Sequence, residues 1–77
     1  MTRVRSMRQE IASDLVANVA QVLVRIGQAV TETEELLLLE SMKMEIPVLA
    51  EEPGTVAEIR VQTGDVVQEG DVLVVLE

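Results

Sequence analysis

Apolar and polar positions alternate most clearly in the second half of the chain. Ile59 and Val61 are interleaved with Glu58, Arg60 and Gln62, the period-2 pattern of a half-buried strand. Gly64-Asp65 is a turn signal, Val66-Val67 a short strand and Gly70-Asp71 a second turn. From Val72 to Leu76 the chain is continuously apolar and largely β-branched, which predicts a strand covered on both faces. Met44, Ile46 and Val48 share one face of a further strand. Its Pro47 lacks an N–H and belongs where no ladder bond is needed.

The same succession occurs earlier in the chain. Shifted by 37 positions, the sequence matches itself without a gap, with residues 19, 20, 24, 27, 30, 32, 36, 39 and 40 identical to their partners. Val19 to Val24 falls on Val56 to Val61, and Leu36 to Glu40 falls on Leu73 to Glu77. Gly27-Gln28 stands where the second copy has Gly64-Asp65, and Thr33-Glu34 where it has Gly70-Asp71. Leu36 to Leu39 taken alone fits a helix equally well, but its partner in the repeat is β-branched, so a strand is expected. Met44 to Leu49 corresponds to Met7 to Ala12, so each copy begins with one more strand. The expectation is four strands per copy, packed as a flattened barrel or sandwich of two four-stranded antiparallel sheets about a pseudo-twofold axis. Residues 1–6, which have no partner in the pattern, are expected to form a disordered overhang, and 7–77 the domain.

Composition narrows the chemistry. Seventy-seven residues provide one small core, and 48% of them are apolar. There is no His, Cys, Phe, Tyr or Trp. That removes the usual zinc and haem ligands, disulfides, and Ser/His or Cys/His nucleophile pairs, together with aromatic platforms for stacking bases. A formal charge of −8 repels phosphate backbones. The longest apolar run is far short of a membrane span, and no apolar stretch follows the basic residues of the N-terminus, as a signal peptide requires. A cytoplasmic protein that binds neither metal, membrane nor nucleic acid is expected.

One segment breaks the local rules. Between two predicted strands lies Glu40-Ser41-Met42-Lys43-Met44, and a tight hairpin there would centre on Met42-Lys43. Primed turns need positive φ and favour Asn-Gly or Asp-Gly. Residues that resist the required backbone point to a conformation kept for function. Lys43 is the only lysine among six basic residues. Arg is not acylated under ordinary conditions, whereas a deprotonated lysine amine is a nucleophile. An ordinary lysine amine is almost wholly protonated at pH 7, so selective acylation implies an enzyme that removes the proton and supplies an activated acyl group. A lone lysine in a turn is most often a surface charge, and paired methionines are usually core. Here a sole lysine, two flanking methionines, a hairpin tip and the midpoint of an internal duplication coincide.

At these residues the chain resembles the biotinyl-domain family, which includes biotin carboxyl carrier proteins. The resemblance rests on Glu40-Ser41-Met42-Lys43-Met44 with Glu45-Ile46, and on Pro53-Gly54-Thr55-Val56, Gly64-Asp65-Val66-Val67 and Gly70-Asp71-Val72-Leu73. It spans about residues 8–77. It implies a barrel-sandwich fold, covalent biotin on Lys43, Met42 and Met44 as flanking recognition residues, and Glu40 and Ser41 as further parts of the motif. It implies a biotin ligase as one partner and biotin carboxylase and carboxyltransferase subunits as others, acyl-CoA carboxylase type favoured. On this reading the domain is a carrier and not itself an enzyme. The family often has Ala-Pro-Met-Pro-Gly before its first long strand, whereas this chain has Val16-Ala17-Asn18-Val19.

Two other readings stay open. Lipoyl domains share the frame and carry their lysine on the same hairpin, typically as Asp-Lys-Ala. An unmodified barrel-sandwich module would use Met42 and Met44 as an ordinary protein contact.

Overall fold

A computed structural model describes residues 8–77, so the expected overhang at residues 1–6 lies outside the described residues. It contains eight strands: β1 (Gln9–Ala12), β2 (Ala17–Val22), β3 (Ala29–Val30), β4 (Glu35–Ser41), β5 (Met44–Leu49), β6 (Gly54–Ile59), β7 (Val66–Val67) and β8 (Val72–Leu76). They form two antiparallel sheets of order β1-β8-β6-β3 and β5-β4-β2-β7. Each sheet takes strands from both copies of the repeat, so neither half can close a core alone. No helix among the described residues is long and apolar enough to cross a membrane.

The repeat governs the structure bond by bond. The Gly64 N–H donates to the Val19 carbonyl at 2.8 Å, and the Gly27 N–H to the Val56 carbonyl at 2.8 Å. Gly70 donates to Ser13 at 2.8 Å and Thr33 to Ala50 at 2.8 Å. The register irregularities obey the same rule. The shift between Ile11 and Ala12 opposite Val74 and Val72 recurs opposite Val48 and Leu49, between Leu37 and Glu35. That between Val19 and Gln21 recurs between Val56 and Glu58. Bulges bend and twist strands locally, and placing them in symmetric pairs bends both sheets alike.

The two departures from Gly-Asp are conservative in geometry. Asp65 accepts the Gln62 N–H through Oδ2 at 2.9 Å, and in the first copy Gln28 accepts the Arg25 N–H through Oε1 at 3.1 Å. Asp71 likewise accepts the Gln68 N–H at 2.8 Å, and Glu34 accepts the Thr31 N–H at 3.0 Å. Thr33 is less comfortable. It has φ of 68° where Gly70 has 91°, and a β-branched residue is disfavoured in that region. Thr33→Gly is therefore expected to stabilise the domain by about 0.5–1 kcal/mol, the strain relieved exceeding glycine's extra backbone entropy. Urea denaturation of the two proteins measures it, and an unchanged or lower midpoint would count against the strain.

Leu36, Leu37, Leu39, Leu73, Val74 and Leu76 form the centre of the core with Val19 and Val56. β8 is buried on both faces from Leu73 to Leu76, as its unbroken apolar run predicts. On β5, Ile46 and Val48 turn inward while Pro47 and Leu49 stay exposed. β5 is an edge strand, which accommodates the missing N–H of Pro47. The strand expected around Ile59 and Val61 ends earlier, at Ile59. One further bond, from the Arg60 N–H to the Leu73 carbonyl at 2.9 Å, holds the chain before the Gln62–Asp65 turn draws it away from the ladder. Val61 still packs against the core.

Where the first and last strands meet, Arg8 donates to Glu77 at 2.6 Å and to Glu58 at 2.7 Å, and Arg60 donates to Glu58 at 2.9 Å. Hydrogen bonds from Arg8 and then Arg60 hold the Glu58 carboxyl below its ordinary range. All four side chains are exposed by about two-fifths or more, so solvent screens these pairs and their contribution to stability is small.

Candidate functional site

β4 and β5 are joined by the two-residue turn Met42-Lys43, with Ser41 paired to Met44 at its base. Both turn residues have positive φ, 54° at Met42 and 66° at Lys43, the primed geometry that matches the twist of the flanking strands. Neither is glycine or asparagine, so the backbone holds a conformation these side chains disfavour. A turn this short leaves the two side chains no room to fold inward. Lys43 is exposed, and Met42 is 91% and Met44 61% exposed. The long strands beneath are anchored by Leu39, which is buried, so the tip stands on a rigid base.

The structure thus brings Glu40, Ser41, Met42, Lys43 and Met44 together on one hairpin, as their adjacency requires. It adds residues that their spacing in the sequence concealed. Glu45 lies directly opposite Glu40, Asn18 opposite Glu40 on the other side, and Val66 opposite Asn18. A row Glu45–Glu40–Asn18–Val66 therefore crosses four strands below the lysine. The order β5-β4-β2-β7 sets this row, and that order is a non-local pairing with no local sequence signal.

The symmetry-related position offers an internal comparison. Glu40 and Glu45 correspond to Glu77 and Arg8, which form an ion pair. At the lysine hairpin the same two places hold like charges, which disfavour one another when directly opposed on a sheet. Glu45→Arg, copying the other end, is expected to raise stability by about 0.2–1 kcal/mol in thermal or urea melts at low salt. A loss of stability would show that the two carboxylates do not oppose one another.

An exposed amine on such a hairpin tip is open to an acylating enzyme. It is clear of the core, so a group attached there would leave the sheets undisturbed. Among the described residues no cluster of Asp, Glu, His or Cys could hold a metal ion.

Comparison with known proteins agrees with this geometry. The family described as biotin-requiring enzyme, which groups biotin and lipoyl attachment domains, matches residues 9–76. The biotinylated protein TB7.3 homolog of Mycobacterium leprae is 44% identical over 70 residues, covering 91% of this chain and 99% of that protein. The mitochondrial propionyl-CoA carboxylase alpha chain of Homo sapiens is 46% identical over 59 residues, 77% of this chain but 8% of that one. Among solved structures, the Kluyveromyces lactis urea carboxylase superposes with a TM-score of 0.87 over 99% of this chain and 7% of its own, at 24% identity, a likeness of fold alone. The lipoyl domain of the Azotobacter vinelandii 2-oxoglutarate dehydrogenase complex superposes with a TM-score of 0.70 over 80% of this chain and 78% of its own, at 35% identity. The frame is common to both kinds of carrier, and with the family match spanning every strand, the chain belongs to the biotin/lipoyl attachment family as a biotinyl domain.

Proposed function

We propose that Lys43 carries biotin in amide linkage and that the domain moves the biotin ring between the active sites of a biotin-dependent carboxylase. The observation that carries this is the hairpin itself: a sole lysine, exposed between two exposed methionines, on a turn whose backbone suits neither of its residues. A biotin ligase supplies biotin as its acyl-adenylate; once deprotonated, Nζ attacks the acyl carbon, the amide C–N bond forms, and the acyl–phosphate bond breaks to release AMP. Bound biotin contributes the carboxyl-carrying ureido nitrogen. The residues of this chain hold the arm at a fixed point and raise the local concentration of the ring at its partners. Biotin carboxylase and carboxyltransferase components are the proposed partners, and the similarity to the propionyl-CoA carboxylase chain favours an acyl-CoA as the final acceptor.

The row of Glu45 and Glu40 beneath the apolar Met42 and Met44 fits a partner surface that is basic around an apolar pocket. Association with a biotin ligase is then expected to weaken as ionic strength rises, and salt-independent association would remove the electrostatic part of the proposal.

The direct test is intact mass after co-expression with a biotin ligase, with streptavidin and anti-lipoate blots in parallel. An increment of one biotinyl group with a streptavidin signal is expected. An unchanged mass would leave an unmodified interaction module, and an anti-lipoate signal alone would make this a lipoyl carrier.

A further inference from the structure

The sequence holds four methionines and no Cys, Trp, Tyr or His, so methionine sulfur is where a mild oxidant acts on this chain. Met1 and Met7 precede the described residues. The other two flank Lys43, with Met42 91% and Met44 61% exposed. The hydrophobic core, by contrast, is built wholly of Leu, Val, Ile and Ala. Methionine is usually a filler of gaps in such a core, and neither described methionine serves there. Oxidisable sulfur among the described residues is thus confined to the hairpin and absent from the packing that holds the fold.

Resting on the reading that these methionines enter an apolar pocket of the biotin ligase, we propose that Met42 and Met44 form a reversible oxidation site whose sulfoxides bar the folded domain from biotin attachment. The oxidant is a hydroperoxide. A sulfur lone pair attacks the outer peroxide oxygen, and the S–O bond forms as the O–O bond breaks. With hydrogen peroxide the leaving hydroxide takes a proton and departs as water. Sulfur is oxidised by two electrons and the peroxide reduced by two. Met42, the more exposed of the pair, reacts first.

The consequence follows from polarity. Oxidation turns a flexible apolar side chain into a polar, chiral one. A pocket that fits a thioether offers the new oxygen no donor, so docking would bury an unpaired polar group. Within the domain the same change costs little, because both side chains stand in solvent at the tip. Recognition is lost and the frame is kept. Methionine sulfoxide reductases restore the thioether, two thiols becoming a disulfide while the oxygen leaves as water. Biotin would therefore be withheld from Lys43 under oxidising conditions and supplied again once they pass.

The test treats the unmodified domain with dilute hydrogen peroxide, removes the peroxide with catalase, and then adds biotin ligase, biotin and ATP. Trypsin cuts after Arg3, Arg5, Arg8, Arg25, Lys43 and Arg60, so each methionine falls in a different peptide and its added oxygen is read separately by mass. Expected are sulfoxide at Met42 ahead of Met44, an unchanged thermal midpoint, and an initial rate of biotinylation several-fold lower. Methionine sulfoxide reductases with dithiothreitol should restore that rate. The double variant Met42→Leu, Met44→Leu keeps apolar volume at the hairpin without sulfur, and its own rate should be the same before and after peroxide. Sulfoxide at both positions with an undiminished rate overturns the proposal. So does a rate loss that persists in the double variant, which would assign it to Met1 or Met7. A lowered midpoint overturns it as well, by tracing the loss to unfolding. An untreated domain that takes no biotin overturns the attachment itself, and the block with it.

Discussion

Lys43→Arg is expected to abolish biotin attachment completely while leaving the fold in place. Guanidinium stays charged throughout the accessible pH range and is not a nucleophile for an acyl-adenylate. Every other basic side chain of the protein is already Arg, so no second amine on a side chain can substitute. Lys43 is exposed and makes no ion pair among the described residues, and Arg tolerates the same backbone about as well. The thermal midpoint should therefore move by no more than about 2–4 °C, in line with surface substitutions of within about 0.5 kcal/mol. The measurement is streptavidin blotting and intact mass of both proteins co-expressed with a ligase, with a melt of each. Biotin still present on the variant would move the attachment site to the N-terminal amine, the one amine left. Loss of biotin together with loss of folding would instead assign Lys43 a structural role that its exposure does not predict.

The hairpin and the duplication were legible in the sequence because both are local or periodic. The self-match at a shift of 37 residues predicts eight strands, and the strands, their registers and even their bulges repeat at that interval. Leu36 to Leu39, ambiguous by itself, reads as a strand through its partner Leu73 to Leu76, and of the two runs all but the half-buried Leu38 are buried. The turn at Met42-Lys43 could be placed because its residues are wrong for a primed turn, and the positive φ values are those such a turn requires.

What remained hidden depends on which strands become neighbours. Nothing near Asn18 in sequence announces that it will lie between Glu40 and Val66, so the row below the lysine has no local signal. The acidic pair Glu40 and Glu45 was separated by the turn and gained meaning only from comparison with Glu77 and Arg8. Gln28 and Thr33 stand where the second copy has Asp65 and Gly70. Side-chain hydrogen bonding lets Gln28 do what Asp65 does, and the surrounding ladder holds Thr33 in a glycine's conformation. A backbone position can thus outlast the residue best suited to it when neighbouring bonds over-determine it.

The repeat also fixes an expectation about the core. Leu36→Ala and Leu73→Ala should each destabilise the domain by about 2–5 kcal/mol, through lost burial and the cavity left behind. Both side chains are fully buried, and they occupy equivalent places in sheets built alike, so the two costs should agree within about 1 kcal/mol, well inside the spread seen for unrelated leucines. At roughly 0.05–0.15 kcal/mol per residue, a domain of 77 residues has about 4–12 kcal/mol of stability, so either change removes a large share of it. Because β4 runs from Leu36 to the base of the hairpin while β8 does not touch it, biotinylation gives a second readout. If acceptance by the ligase requires only the hairpin, Leu36→Ala should impair it more than Leu73→Ala at equal stability. If it requires the whole domain, since each sheet draws strands from both copies, the two should lose biotinylation in proportion to the unfolded fraction. The interleaved strand order favours the second outcome. Urea denaturation of both variants, followed by ligase assays at matched folded concentration, decides it: unequal biotinylation at equal folded fraction would show that the hairpin is recognised without the frame that holds it.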